Sequence, residues 1–138
     1  MPASDALATL ERNFYERDGL TRPTTVAEVV AASGTAGAAA VNVVSLPAVA
    51  AKTNFIQGLV IATAAPVAVV TGIVTVAGLL SGTLSFQFVE STTAGGLLIV
   101  DFGTPLPASA VNTAITVTLP AIVAGGASST VSIWGVLK

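Results

Sequence analysis

Between Thr113 and Leu119 the side chains alternate, with Ile115, Val117 and Leu119 on one side and Ala114, Thr116 and Thr118 on the other. That is the period of a half-buried β-strand. Pro105 and Pro107 stand in front of it and Pro120 behind it. Proline cannot donate to a ladder and biases its predecessor toward extended geometry, so such flanks suit a short strand better than a helix. A second clear alternation spans Thr83–Val89, where Leu84, Phe86 and Phe88 oppose Thr83, Ser85 and Gln87. Further strand-like segments are expected near Val41–Leu46, Asn54–Ala62, Val67–Ala77, Leu97–Phe102 and Thr130–Leu137. Turn signals separate them at Pro47, Pro66, Leu80-Ser-Gly, Ala94-Gly-Gly, Pro105-Leu-Pro and Ala124-Gly-Gly-Ala-Ser-Ser. About seven or eight strands at this spacing predict an all-β domain, a β-sandwich or jelly roll, preceded by an N-terminal arm. No repeat of solenoid length is visible.

The run from Phe55 to Leu80 carries no charge and is long enough to span a bilayer, and Gly78 and Gly82 have the small-xxx-small spacing of packed membrane helices. Its residues favour strands instead. Valine, threonine and isoleucine dominate, Pro66 and Gly72 interrupt, and no basic cluster flanks either end. The hydropathy therefore reads as a β-core of small apolar residues whose outer face is covered by other subunits, and no membrane partner is expected.

Composition sharpens this picture. The chain has 138 residues, enough for one domain, of which 53% are hydrophobic and 9% charged. Most of the charge precedes the strands: Asp5, Glu11, Glu16, Asp18 and Glu28 face Arg12, Arg17 and Arg22, leaving Lys52, Glu90, Asp101 and Lys138 for the body. Soluble domains carry about a quarter of their residues as charges, so this body is expected to hide surface against other chains or a membrane. With five Lys+Arg against seven Asp+Glu and no basic cluster, nucleic acid is not an expected partner.

Candidate chemistry is sparse. The sequence has no cysteine and no histidine, which excludes disulfides, thiolate or imidazole metal sites and Ser-His-Asp catalysis. The opening residues lack the basic and apolar regions of a secretory signal. Glu90 and Asp101, the two carboxylates of the body, could formally form a glycosidase pair, but read as solvated strand-end or intersubunit charges. The Gly-Gly pairs at 95–96 and 125–126 read as hairpin turns and not phosphate cradles. Trp134, with Phe86 and Phe88, could form an aromatic platform, but reads rather as a core or subunit-interface anchor. No catalytic, cofactor or metal residue is assigned, and no enzyme is expected.

The leader has its own character. From Ser4 to Arg17, Leu7, Leu10 and Phe14 recur at three and four, Ser4 can cap and Asp18-Gly19 can stop, which fits a short amphipathic helix. Beyond it, Thr25 and Glu28 match a capping box, yet Val26, Val29 and Val30 suit a strand, and the segment reads as an extended arm. The expected organisation is an arm over residues 1–33 and a β-sandwich body over residues 34–138. The plain alternative for the leader is a disordered terminus. In the sharper reading Leu10, Arg12, Phe14, Tyr15, Arg17 and Arg22 dock on a neighbouring subunit, as apolar anchors and paired charges.

The motif F-x-x-P-L-P-A-S-A-x-N-T-A-I-x-V (Phe102 to Val117), the terminal S-I-W-G-V-L-K and the leader segment G-L-T-R-P-T-T resemble small virion proteins of tailed bacteriophages. The resemblance implies a β-sandwich or jelly-roll module that decorates or cements the capsid. In such proteins the β-domain, often a trimer, sits over junctions between major capsid subunits while an arm reaches neighbours. It thus implies the major capsid protein and a homotrimer as partners, and the capsid surface of the virion as the location. The charged leader departs from that pattern, being more helical than an extended arm. From the residues alone, a carbohydrate-binding or host-adhesion β-module of a fibre is the second reading and a membrane-inserted protein the third.

Overall fold

The computed structural model describes residues 28–37, 40–64, 69–121 and 128–138. Eight strands run in order: β1 Glu28–Ala36, β2 Asn42–Leu46, β3 Asn54–Thr63, β4 Val70–Ala77, β5 Leu84–Glu90, β6 Gly96–Pro107, β7 Ile115–Leu119 and β8 Ser129–Leu137. They form two four-stranded sheets, β1-β8-β3-β6 and β2-β7-β4-β5, in which every neighbouring pair is antiparallel. Every link except β4–β5 crosses from one sheet to the other, and the first strand lies beside the last. This winding is the jelly roll. No helix among the described residues is long and apolar enough to cross a membrane, and the uncharged run at 55–80 supplies β3 and β4.

Alternation places the core. Ile115, Val117 and Leu119 are all buried, with Thr116 and Thr118 half-buried between them, as the pattern along β7 predicts. Phe88 is buried and Leu84 and Phe86 half-buried on the inner side of β5. Leu59, Ile61 and Ile133 from one sheet close against Val74, Val76 and Leu46 from the other. Each such side chain contributes about 1.5–3 kcal/mol by leaving water. Gly95 has φ +73° in a turn closed by mutual hydrogen bonds between Ser91 and Gly95 of 2.8 and 2.9 Å, but the turn passes from one sheet to the other and is not the hairpin between paired strands expected at the Gly-Gly pair. The pair at 125–126, Pro66 and the start of the expected Val67–Ala77 strand lie outside the described residues.

Three further expectations need correction. The strand β1 begins at Glu28 and runs through Gly34, so the boundary expected between residues 33 and 34 falls inside a strand. Its residues, E-V-V-A-A-S-G-T-A, resemble a linker in composition, but nine consecutive register pairs with β8 hold it in the sheet. Small inner residues are needed there: a Cβ on Gly34 would stand 2.8 Å from the Val44 side chain. Secondly, Pro105-Leu-Pro107 is not a turn but the end of β6. Because β6 is an edge strand paired only with β3, prolines there interrupt no second ladder. Thirdly, Asp101 lies within β6, not at a strand end, and Glu90, although it ends β5, is 1% exposed and so not a solvated charge.

Candidate functional site

The outward-facing residues of the two sheets differ in chemistry. On the β2-β7-β4-β5 sheet hydroxyls, Thr71, Thr75, Thr116 and Thr118, are mixed with exposed Val43, Ile73 and Val89, and Ser45 Oγ and Thr116 Oγ1 are joined at 2.8 Å. On the β1-β8-β3-β6 sheet, register sets them in rows. Val29 lies beside Val136 and Phe55; Ala31 beside Trp134, Gly58 and Asp101; Ser33 beside Ser132, Val60 and Ile99; Thr35 beside Thr130, Ala62 and Leu97. Val29, Leu97 and Ile99 are 82%, 67% and 63% exposed. Asp101 is the one charge in these rows, its Oδ1 accepting a 2.9 Å bond from the Gly103 amide. Glu28, Lys52 and Lys138 gather at one end, where Lys52 Nζ meets Glu28 Oε1 at 2.7 Å and Lys138 Nζ stands 5.2 Å from the Phe55 ring centre.

Size is divided across this face. In the rows of Ser33 and Thr35, Val60, Leu97 and Ile99 on β3 and β6 stand against Ser33, Thr35, Ser132 and Thr130 on β1 and β8; in the other two rows Val29, Val136 and Trp134 put bulk on β1 and β8, beside Phe55 and Gly58 of β3. A shallow groove of about 310 Å³ follows the small half, between Ala31, Ser33, Ser132 and the flank of Trp134. Exposed Val29, Leu97 and Ile99 on one face of a chain so poor in charge fit a protein contact surface.

The other notable feature is polar and buried. Asn42, Thr63, Glu90 and Ser129 close one end of the sandwich, and each is less than a tenth exposed. Asn42 Nδ2 donates to Gly34 O at 3.1 Å and to Ser129 O and Oγ at 3.2 Å, so a side chain of one sheet ties two strands of the other. Thr63 Oγ1 accepts from the Gly96 amide at 2.9 Å. Glu90 has no hydrogen-bond partner for either carboxylate oxygen among the described residues.

The arm residues singled out in the sequence, Leu10, Arg12, Phe14, Tyr15, Arg17 and Arg22, lie outside the described residues. Glu90 and Asp101 are not brought together: one is buried at the end of β5, the other exposed on the outer face of the opposite sheet. Nor do the three aromatics form one platform. Phe88 is in the core, Phe86 tilts against Phe102 at 6.4 Å between centroids, and Trp134 lies on the outer face. Among the described residues no three Asp or Glu side chains cluster as metal ligands. What sequence reading passed over is the apolar outer row of β6 and β3. The available signal was that Gly96–Val100 and Leu59–Ala62 are apolar at successive positions, so neither face of those strands is polar.

No family model and no curated protein matches the chain. Among solved structures it is similar to "Cryo-EM structure of giant freshwater prawn Macrobrachium rosenbergii extra small virus (XSV) VLP", at 17% identity and a TM-score of 0.31, over 83% of this chain and 86% of that one. A TM-score of that size is too low to establish a shared fold.

Proposed function

We propose that the protein is a non-enzymatic structural component of a virus shell, which joins copies of itself and neighbouring shell subunits. The outer face of the β1-β8-β3-β6 sheet carries this reading: exposed Val29, Leu97 and Ile99 lie among small and hydroxylic side chains with one carboxylate, a surface suited to contact with another subunit of a shell. The jelly roll is compatible, since that architecture serves capsid domains, although it serves lectins too. In its finer form, taken from the sequence resemblance, the protein sits on the capsid surface of a tailed-phage virion as a decoration or cement protein. There it contacts the major capsid protein, assembles as a trimer and reaches neighbours with its leader. Light scattering of the purified chain, alone and mixed with candidate shells, tests both levels. The expected result is a homo-oligomer of the 13.6 kDa chain that co-sediments with the shell. A micromolar monomer that stays in the supernatant would overturn the proposal.

A second reading, a carbohydrate-binding or adhesion module, draws on one observation: Trp134 and Asp101 share a row, with only Gly58 between them. An aromatic face beside an exposed carboxylate can receive a sugar ring. Binding to a glycan array that is lost in Trp134→Ala and Asp101→Asn would favour this reading over shell assembly.

A further inference from the structure

We infer that the outer faces of the β1-β8-β3-β6 sheets of two copies pack against each other about a two-fold axis parallel to the strands. The inference rests on the assembly reading above and specifies which surface joins which. Two features of the face select a second copy as occupant.

The first is the division of size. A two-fold axis running along the strands turns one sheet over onto the other, so that β6 of one copy lies over β1 of its partner while the rows stay matched. Ile99 then opposes Ser33 of the second copy and Leu97 opposes Thr35, bulky against small in each case. The shallow groove on the small half receives the side chains of the bulky half. An axis across the strands would instead put β6 on β6 and β1 on β1 with the order of the rows reversed, so that Ile99 falls on the Asp101 carboxylate of the second copy. The favoured arrangement keeps the strand directions of the two sheets close to aligned, the usual geometry of stacked sheets. Asp101 falls on the edge strand β6, where its carboxylate keeps access to water.

The second feature is extent. Four strands and four rows cover about 19 Å by about 27 Å at ordinary sheet spacings, about 500 Å² per copy and about 1,000 Å² for the pair. That is about the threshold of a biological contact, below the roughly 1,200 Å² of a stable one, so the pair is held firmly only with further surface from the rest of the assembly. Trp134 lies near the middle of the face, between its own strand and β3, so pairing brings two indole rings together near the axis. A trimer can coexist with this contact by using other surfaces, in which case the particle contains six copies.

Because the chain has no cysteine and one tryptophan, the full-length protein can be probed cleanly. Two variants, Ser33→Cys and Ile99→Cys, are treated with a bis-maleimide about 10 Å long, the separation of stacked sheets. An equimolar mixture, allowed to exchange subunits, is expected to give a covalent dimer, and each variant alone little or none. Light scattering is expected to give an even number of copies. Ile99→Lys is expected to halve the particle mass with an unchanged circular dichroism spectrum, whereas Thr71→Lys, on the outer face of the other sheet, leaves the mass as it was. Cross-linking of Ile99→Cys with itself but not in the mixture, or an odd-numbered assembly unaffected by Ile99→Lys, overturns the two-fold contact and leaves shell assembly standing. A wild-type monomer overturns both.

Discussion

Trp134 lies across Gly58, the residue beside it on β3, with indole Cε2 2.8 Å from the point where a side chain at 58 would begin and Cζ2 closer still. The strand β3 shifts register between Ile56 and Gly58 in its pairing with both β6 and β8. A glycine next to this irregularity leaves the outer face flat enough for an indole to rest on it. The Val100 carbonyl oxygen is also 2.8 Å from the same point, so backbone as well as side chain closes the space. Gly58→Ala therefore forces Trp134 to move and is expected to destabilise the fold by about 1–3 kcal/mol. Urea denaturation followed by the emission of the single tryptophan reads both effects, a lowered midpoint and an altered native spectrum.

Asn42 supports the opposite side of the sandwich from within. Its amide bonds connect the start of β2 to Gly34 on β1 and Ser129 on β8, across the gap between the sheets. Removing the donor strands buried acceptors that water cannot reach. Asn42→Ala is expected to cost about 1–3 kcal/mol, read as a lower denaturation midpoint at unchanged slope.

Glu90, the buried last residue of β5, should behave in the reverse way. A carboxyl group that is 1% exposed and without a hydrogen-bond partner among the described residues opposes folding, because its desolvation is not offset. Glu90→Leu, of similar volume, is expected to stabilise the domain on the order of 1–4 kcal/mol. A lower midpoint in the same denaturation experiment would instead reveal a stabilising partner for the carboxylate.

These sites mark where the sequence could and could not be read. The alternation along Ile115–Leu119 and Leu84–Phe88 carries its own burial, since one polar side and one apolar side leave a single way to face the core. On β1 the pattern fails for lack of contrast: alanine, serine, glycine and threonine fit a linker as well as an edge strand, and only pairing with β8 decides between them. On β6 both sides are apolar from Gly96 to Val100, so alternation could not say which side faces water. Glu90 illustrates a different limit. A charged residue at the end of a strand is usually solvated, and nothing in its neighbours along the chain distinguishes it from Asp101, which is exposed. The arrangement of the outer face depends on cross-strand register, which brings Ile99, Val60, Ser132 and Ser33 into one row from four separate segments.

The leader supplies the last prediction, and the position of β1 sets where it must be cut. Of the twelve charged residues in the chain, seven precede Glu28: Asp5, Glu11, Arg12, Glu16, Arg17, Asp18 and Arg22. Leu10, Phe14 and Tyr15 stand among them, a combination suited to docking on another subunit. Deleting residues 1–27 removes that segment and leaves every strand from Glu28 onward. The truncated protein is expected to keep the circular dichroism spectrum of a β-sandwich and to co-sediment with shells at least tenfold more weakly than the full chain, a loss of about 1.4 kcal/mol of attachment. Deleting residues 1–36 removes β1 as well, exposing the ladder edge of β8 and uncovering Val44, and is expected to yield an aggregating product. Undiminished attachment after the shorter deletion would show that the sheet face alone carries the contact. If the shorter deletion itself fails to fold, the leader belongs to the core.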